Sequence, residues 1–101
     1  SRAEARRWAY LELRERAGEI SDLKHQPTVE LEPGIKWRLD ASYIADGRLV
    51  YEDTKPRPFT PRENLLLKLW RLHGPALLRI IGVRGKGWTL KKQVFPAGKE
   101  P

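Results

Sequence analysis

Arg38-Leu39-Asp40-Ala41-Ser42-Tyr43-Ile44-Ala45-Asp46-Gly47-Arg48-Leu49-Val50-Tyr51-Glu52-Asp53-Thr54-Lys55 is the stretch that decides how this chain folds. It reads as two short strands joined at Asp46-Gly47, a dipeptide that accepts the positive φ angles of a tight hairpin turn. Strand side chains alternate between faces, so Asp53 and Lys55 point the same way and Thr54 the other. Antiparallel pairing about that turn sets Asp40 opposite Asp53. Two carboxylates and an ammonium then converge on one patch of sheet, a geometry suited to a divalent metal, a water molecule and a phosphate. An exposed strand hairpin laced by ordinary salt bridges has the same composition.

An Asp on one strand, followed after a hairpin by Asp/Glu-x-Lys on the next, resembles the signature of the PD-(D/E)XK nuclease superfamily, which includes restriction endonucleases and Holliday-junction resolvases. Four further segments carry a closer likeness: Ser1-Arg2-Ala3-Glu4-Ala5-Arg6-Arg7, Ala17-Gly18-Glu19-Ile20-Ser21-Asp22-Leu23, Gln26-Pro27 and Glu52-Asp53-Thr54-Lys55. In that order they resemble a family of small phage and prophage endonuclease-like proteins of the same superfamily, over about Ser1 to Leu72. The resemblance implies an α/β fold with a restriction-endonuclease-like core, a central mixed sheet flanked by helices. It implies a DNA endonuclease dependent on Mg²⁺ or Mn²⁺. Asp40 and Asp53 would be metal ligands, Lys55 the catalytic lysine, Glu4 a glutamate of the first helix beside the metal, and Gln26 a neighbour of the site. Two positions depart from the pattern: Pro56 follows Lys55 where relatives carry glycine, and Leu39 precedes Asp40 where the superfamily has proline.

A chain of 101 residues supports one domain with one modest core. The expected division is a single domain over 1–95 and a frayed tail over 96–101. Hydrophobic residues make up 40% of the chain and include four Trp, enough to fold, while 33% charged residues argue for a soluble protein. No run of eighteen apolar residues exists, so no membrane span is expected. Cysteine is absent, which excludes disulfides and thiolate metal sites and fits a cytoplasmic address.

The net charge of +7 is unevenly spread. Residues 1–53 hold nine Lys and Arg against eleven Asp and Glu; residues 54–101 hold eleven against two. Acids gather where a metal could use them and bases where a phosphate backbone could lie. A solvated charged face is the plainer alternative.

From the N-terminus, Ser1 to Ala17 reads as a helix stopped by Gly18. Glu4, Trp8 and Leu11 share one of its faces, and a carboxylate on a buried face needs a partner. Arg7 is one candidate, the metal the other. Glu19 to Gln26 reads as a polar connection with Ile20 and Leu23 tucked onto the core. Thr28–Glu32 suits a strand, and Pro33-Gly34 turns the chain toward the hairpin. His25 and His73 are isolated, so no zinc site is expected. Pro56 to Pro61 is irregular; Thr60, Pro61 and Glu63 then form a capping-box start to a helix with Leu65, Leu66, Leu69, Trp70 and Leu72 as its apolar face. Leu77 to Val83 reads as a buried strand. Arg84 to Lys92, basic and interrupted by glycine, is either a last edge strand or an arm.

Phosphodiester hydrolysis needs an activated water, neutralised charge on the phosphate and a stabilised leaving oxygen. Mg²⁺ held by two carboxylates can supply all three. Lys55 would orient or deprotonate the water and offset charge in the transition state; Glu52 replaces Asp53 as ligand if a bulge shifts the strand. Duplex or branched DNA is the expected partner, held by Lys68, Arg71, Arg84, Lys86, Lys91 and Lys92, with a homodimer left open. A binding module of the same fold that does not cut, and an RNA-associated structural protein, are the other readings.

Overall fold

In the computed structural model, which describes residues 1–99, the order of elements is α1 (Arg2–Arg16), β1 (Ser21–His25), β2 (Thr28–Glu32), β3 (Ile35–Arg38), β4 (Ala41–Ala45), β5 (Arg48–Thr54), α2 (Pro61–His73), β6 (Leu77–Arg84) and β7 (Gly87–Val94). Five strands form one mixed sheet in the order β1-β4-β5-β6-β7, and β2 and β3 form a separate hairpin. Among the described strands only β5 and β6 pair in parallel, which α2 makes possible by carrying the chain back between them. The chain is thus a single α/β domain with a mixed sheet and two helices.

The two-residue turn at Asp46 and Gly47 has φ angles of +52° and +73°, and it fixes the register from Ala45 opposite Arg48 to Ala41 opposite Glu52. That is the pairing read from the sequence, and it contains no bulge. Both faces of the sheet are covered, so alternate strand residues enter different cores. Val50 and Leu77 pack with Tyr43, Ala41 and Leu11 beneath α1. Their neighbours Tyr51 and Leu78 pack with Leu66, Leu67 and Trp70 of α2, and with Leu31 and Trp37 of the small hairpin.

Three local expectations change. Ser21–His25 is not a connection but the edge strand β1, paired antiparallel with β4 through an irregular register. Its side chains are mostly exposed, so an apolar pattern that would mark a strand is missing. Ile35–Arg38 is a strand of its own, closing on β2 across the Pro33-Gly34 turn. On α2 the buried face is Leu66, Leu67 and Trp70, while Leu65 and Leu72 are exposed. The capping box is as expected: Thr60 Oγ1 accepts from the Glu63 N–H at 3.2 Å, and Glu63 Oε1 accepts from the Thr60 N–H at 2.8 Å.

Gly87–Val94 is the edge strand of the two alternatives left open for the basic segment. In the tail, Pro96 is fully buried and the Ala97 N–H donates to the Arg71 carbonyl at 2.8 Å, so 96–97 is tied to the end of α2. Residues 100–101 of that expected tail lie outside the described residues. No helix among the described residues is long and apolar enough to cross a membrane.

Candidate active site

Asp40 stands immediately before β4, tied to β5 from both ends. Its N–H donates to the Glu52 carbonyl at 3.1 Å, and its Oδ2 accepts from the Thr54 N–H at 2.7 Å. Asp53, near the end of β5, is 3% exposed. Lys55 continues past the strand, its N–H donating to the Ile81 carbonyl at 2.8 Å. Its ammonium lies 2.8 Å from Asp53 Oδ2 and 3.1 Å from Glu63 Oε2. Asp40, Asp53 and Lys55 therefore meet at one end of the central strands.

Burial, then the charge of Asp53, pushes the Asp40 carboxyl up to about 7, against the pull of the Thr54 N–H; Glu4 adds to the rise. Burial likewise raises Asp53, although Lys55 opposes it. At Lys55 burial acts to release the proton, but the nearby carboxylates of Asp53 and Glu63 outweigh it and hold the pKa above the ordinary lysine value. Lys55 is a cation here, without a lone pair to serve as a base. Asp53 Oδ2, though close to the ammonium, has no well-directed hydrogen bond, and neither does the buried Thr54 Oγ1.

Beside this cluster a cleft of about 280 Å³ opens between α1 and the sheet edge, lined by Glu4, Trp8, Leu11, Gln26 and Asp40 among others. Glu4, Trp8 and Leu11 thus share a face, as their spacing implies. Glu4 accepts a hydrogen bond from Ser1 Oγ at 3.0 Å and acts on both aspartates through its charge. Among the described residues no group of three His, Cys, Asp or Glu side chains is gathered closely enough to hold one ion. Gln26 has φ +52°, a left-handed backbone that disfavours a side chain by roughly 1–2 kcal/mol. Its N–H donates to the Asp40 carbonyl at 3.0 Å, which holds the strained residue at the cleft.

Glu52 is on the opposite face from Asp53, because the ladder has no bulge to turn it. Arg7 Nε donates to Glu52 Oε2 at 2.6 Å and Arg7 Nη2 to Oε1 at 2.9 Å, while the Tyr43 hydroxyl donates to Oε1 at 2.7 Å. Its carboxylate is fully engaged, and Arg7 pairs with it rather than with Glu4. The Tyr43 hydroxyl is pushed up by burial and by the charge of Glu52. Two residues have roles at or beneath the site that differ from those expected from the sequence. Arg7 lies four residues before the buried Leu11, a cation on an apolar stripe. Glu63 read as a cap only, yet Arg57 holds it in a fork at 2.9 and 3.0 Å and depresses its carboxyl below the ordinary range, as do Thr60 and Lys55.

The six basic residues expected to touch nucleic acid occupy two places. Lys68, Arg71 and Lys92 line a groove between α2 and β7. Lys91, next to Lys92 in the chain, donates to the Arg57 carbonyl at 2.6 Å and lies 4.6 Å from the Phe59 ring centre. Arg84 and Lys86 sit instead at the β6–β7 turn, which Arg6 clamps to α1 by donating to the Lys86 carbonyl at 2.9 Å and stacking on Trp88.

Comparison with protein-family models, with curated proteins and with solved structures finds no significant match.

Proposed function

We propose that this chain is a metal-dependent DNA endonuclease whose site is built from Asp40, Asp53 and Lys55, on a restriction-endonuclease-like core. The observation that carries the reading is the meeting of a buried carboxyl group, Asp53, and a half-buried one, Asp40, both with raised pKa, beside an ammonium that stays charged. Such a pair is unfavourable in the free protein and gains from a cation. The donors are hard oxygens, and Asp53 Oδ2 is without a directed hydrogen bond, so the residues fit Mg²⁺ or Mn²⁺. Asp40 and Asp53 would hold the ion, which when bound would neutralise phosphate charge and acidify water.

The chain's own residues do the rest. The Thr54 N–H fixes the orientation of Asp40. Glu63 and Asp53 hold Lys55 protonated and in place, aimed where an anionic phosphate oxygen gains charge in the transition state. Charge offset and positioning, rather than proton removal, are therefore the work of Lys55.

Supercoiled plasmid incubated with Mg²⁺ or Mn²⁺ should be nicked, with EDTA and the Asp53→Asn substitution each abolishing the activity. Absence of cutting on duplex, branched and single-stranded DNA rejects the reading. One observation favours a non-cutting nucleic-acid-binding module of the same fold: the Lys55 ammonium is already engaged by two carboxylates. That module would bind DNA with the same salt dependence and leave every substrate intact.

A further inference from the structure

The ladder between β6 and β7 pairs Ile80 with Lys92 but Ile81 with Leu90, so Lys91 is the extra residue of a β-bulge. In a regular strand, neighbouring lysines would point to opposite faces. Here the bulge turns both toward Phe59, just before α2, with Lys91 Nζ 4.6 Å and Lys92 Nζ 5.9 Å from the centre of its ring. Lys92 then forms one wall of a groove of about 400 Å³ whose other wall is Asn64, Lys68 and Arg71 of α2. Those three stand at intervals of four and three residues, on one helix face. Leu67 and Val94 contribute the apolar part of its lining. No acid lines it, and among the described residues none of its three cations takes part in an ion pair. Three unneutralised cations in one concave groove match a run of phosphates.

Position links this groove to the aspartates. Asn64 follows Glu63, the residue that holds Lys55, so the groove begins one residue from the candidate site and runs along α2. We infer that it seats the DNA backbone on one side of the scissile phosphate, an inference that rests on the endonuclease reading. From Asn64 to Arg71 the helix advances roughly 10 Å at 1.5 Å per residue. At 3.4 Å per nucleotide along a duplex strand, that spans about three nucleotides. A substrate needs about that much backbone on one side of the cut and has no such requirement on the other.

The test measures binding apart from cutting. Fluorescein-labelled DNA oligonucleotides are titrated by anisotropy in Ca²⁺ between about 50 and 200 mM salt. The proteins are wild type, a Lys68→Ala/Arg71→Ala/Lys92→Ala variant and a variant that removes equal charge at Arg14, Arg16 and Arg48. The groove variant should lose tenfold or more in affinity, and its log–log salt slope should fall by about 2 to 3. The control variant should stay within about twofold of wild type and keep its slope. Affinity for duplexes should rise stepwise until the flank on one side reaches about three nucleotides. Equal losses in both variants, or none in the groove variant, overturn the inference. Groove-dependent binding without Mg²⁺-dependent cutting supports the groove and rejects only the endonuclease reading.

Discussion

Arg7 and Glu52, 45 residues apart in the chain, form a forked ion pair beneath the candidate site, with contacts of 2.6 and 2.9 Å. The Glu52 side chain is 0% exposed and that of Arg7 is 9% exposed. Tyr43 satisfies Glu52 further, and the Arg7 guanidinium lies 4.9 Å from the Tyr10 ring centre. The pair ties α1 to β5 directly behind Asp53. A buried pair of this kind need not stabilise more than a well-packed apolar one, but losing one partner leaves the other charge stranded.

Arg7→Met should therefore destabilise the fold by roughly 3–5 kcal/mol. Adding Glu52→Leu to it should restore part of the loss, because the stranded carboxylate is gone. Urea denaturation of the two variants and the wild type measures both effects. Equal stability of the single and double variants would show that the charge is not what matters.

Stability of the metal-free protein should pass through a maximum in mildly acidic solution. The folded Asp40 carboxyl, raised to about 7, binds its proton more tightly than in the unfolded chain, where about 3.9 is usual. Its contribution is therefore full below about pH 4 and is lost as pH rises toward 7. Glu63 has the opposite sign: its depressed carboxyl stabilises the fold above the ordinary carboxylate range and loses that contribution as pH falls. Melting curves in EDTA should show both limbs. Asp40→Asn, which can still accept from the Thr54 N–H, should flatten the alkaline limb, and Glu63→Gln the acid one.

Mn²⁺ or Mg²⁺ should reverse the alkaline limb. A ligand that binds only the folded state at about a hundred times its Kd adds about 2.7 kcal/mol. For a domain of this size that raises Tm on the order of 10 °C. The shift should be reversed by EDTA, be larger at pH 8 than at pH 5, and vanish in Asp53→Asn. A wild-type Tm insensitive to both ions would reject the metal site.

What the sequence made legible was local. The Asp46-Gly47 turn and the two-residue period fix the register that brings Asp40 to Asp53, and Thr60, Pro61 and Glu63 mark the start of α2. What it hid depends on distant partners. β1 is a polar edge strand whose hydrogen bonds come from β4, so its own side chains carry little pattern. Leucines crowd α2 on several sides, and only the sheet and the β2–β3 hairpin choose Leu66, Leu67 and Trp70 for burial. The partners of Glu52 and the bulge at Lys91 likewise exist only once separate strands and helices meet.

Lys55→Ala should separate cutting from binding. Lys55 is one of twenty Lys and Arg residues, and one partly buried charge among so many contributes little to the affinity for DNA. Its ammonium is also partly neutralised in the free protein by Asp53 and Glu63. In the transition state the balance differs, because a positioned charge in a water-poor site is worth about 3 kcal/mol, or roughly a hundredfold in rate. Nicking of plasmid in Mg²⁺ should fall by about that factor while affinity in Ca²⁺ changes less than about twofold. The same substitution leaves Asp53 without its counter-charge, so a lower Tm is expected and the assays are run well below it. Lys55→Arg keeps the charge but presents a planar fork to a site that holds a compact ammonium, so it should recover stability more fully than rate. Equal losses of binding and cutting in Lys55→Ala would make Lys55 a DNA anchor. Unchanged cutting would remove it from the catalytic site.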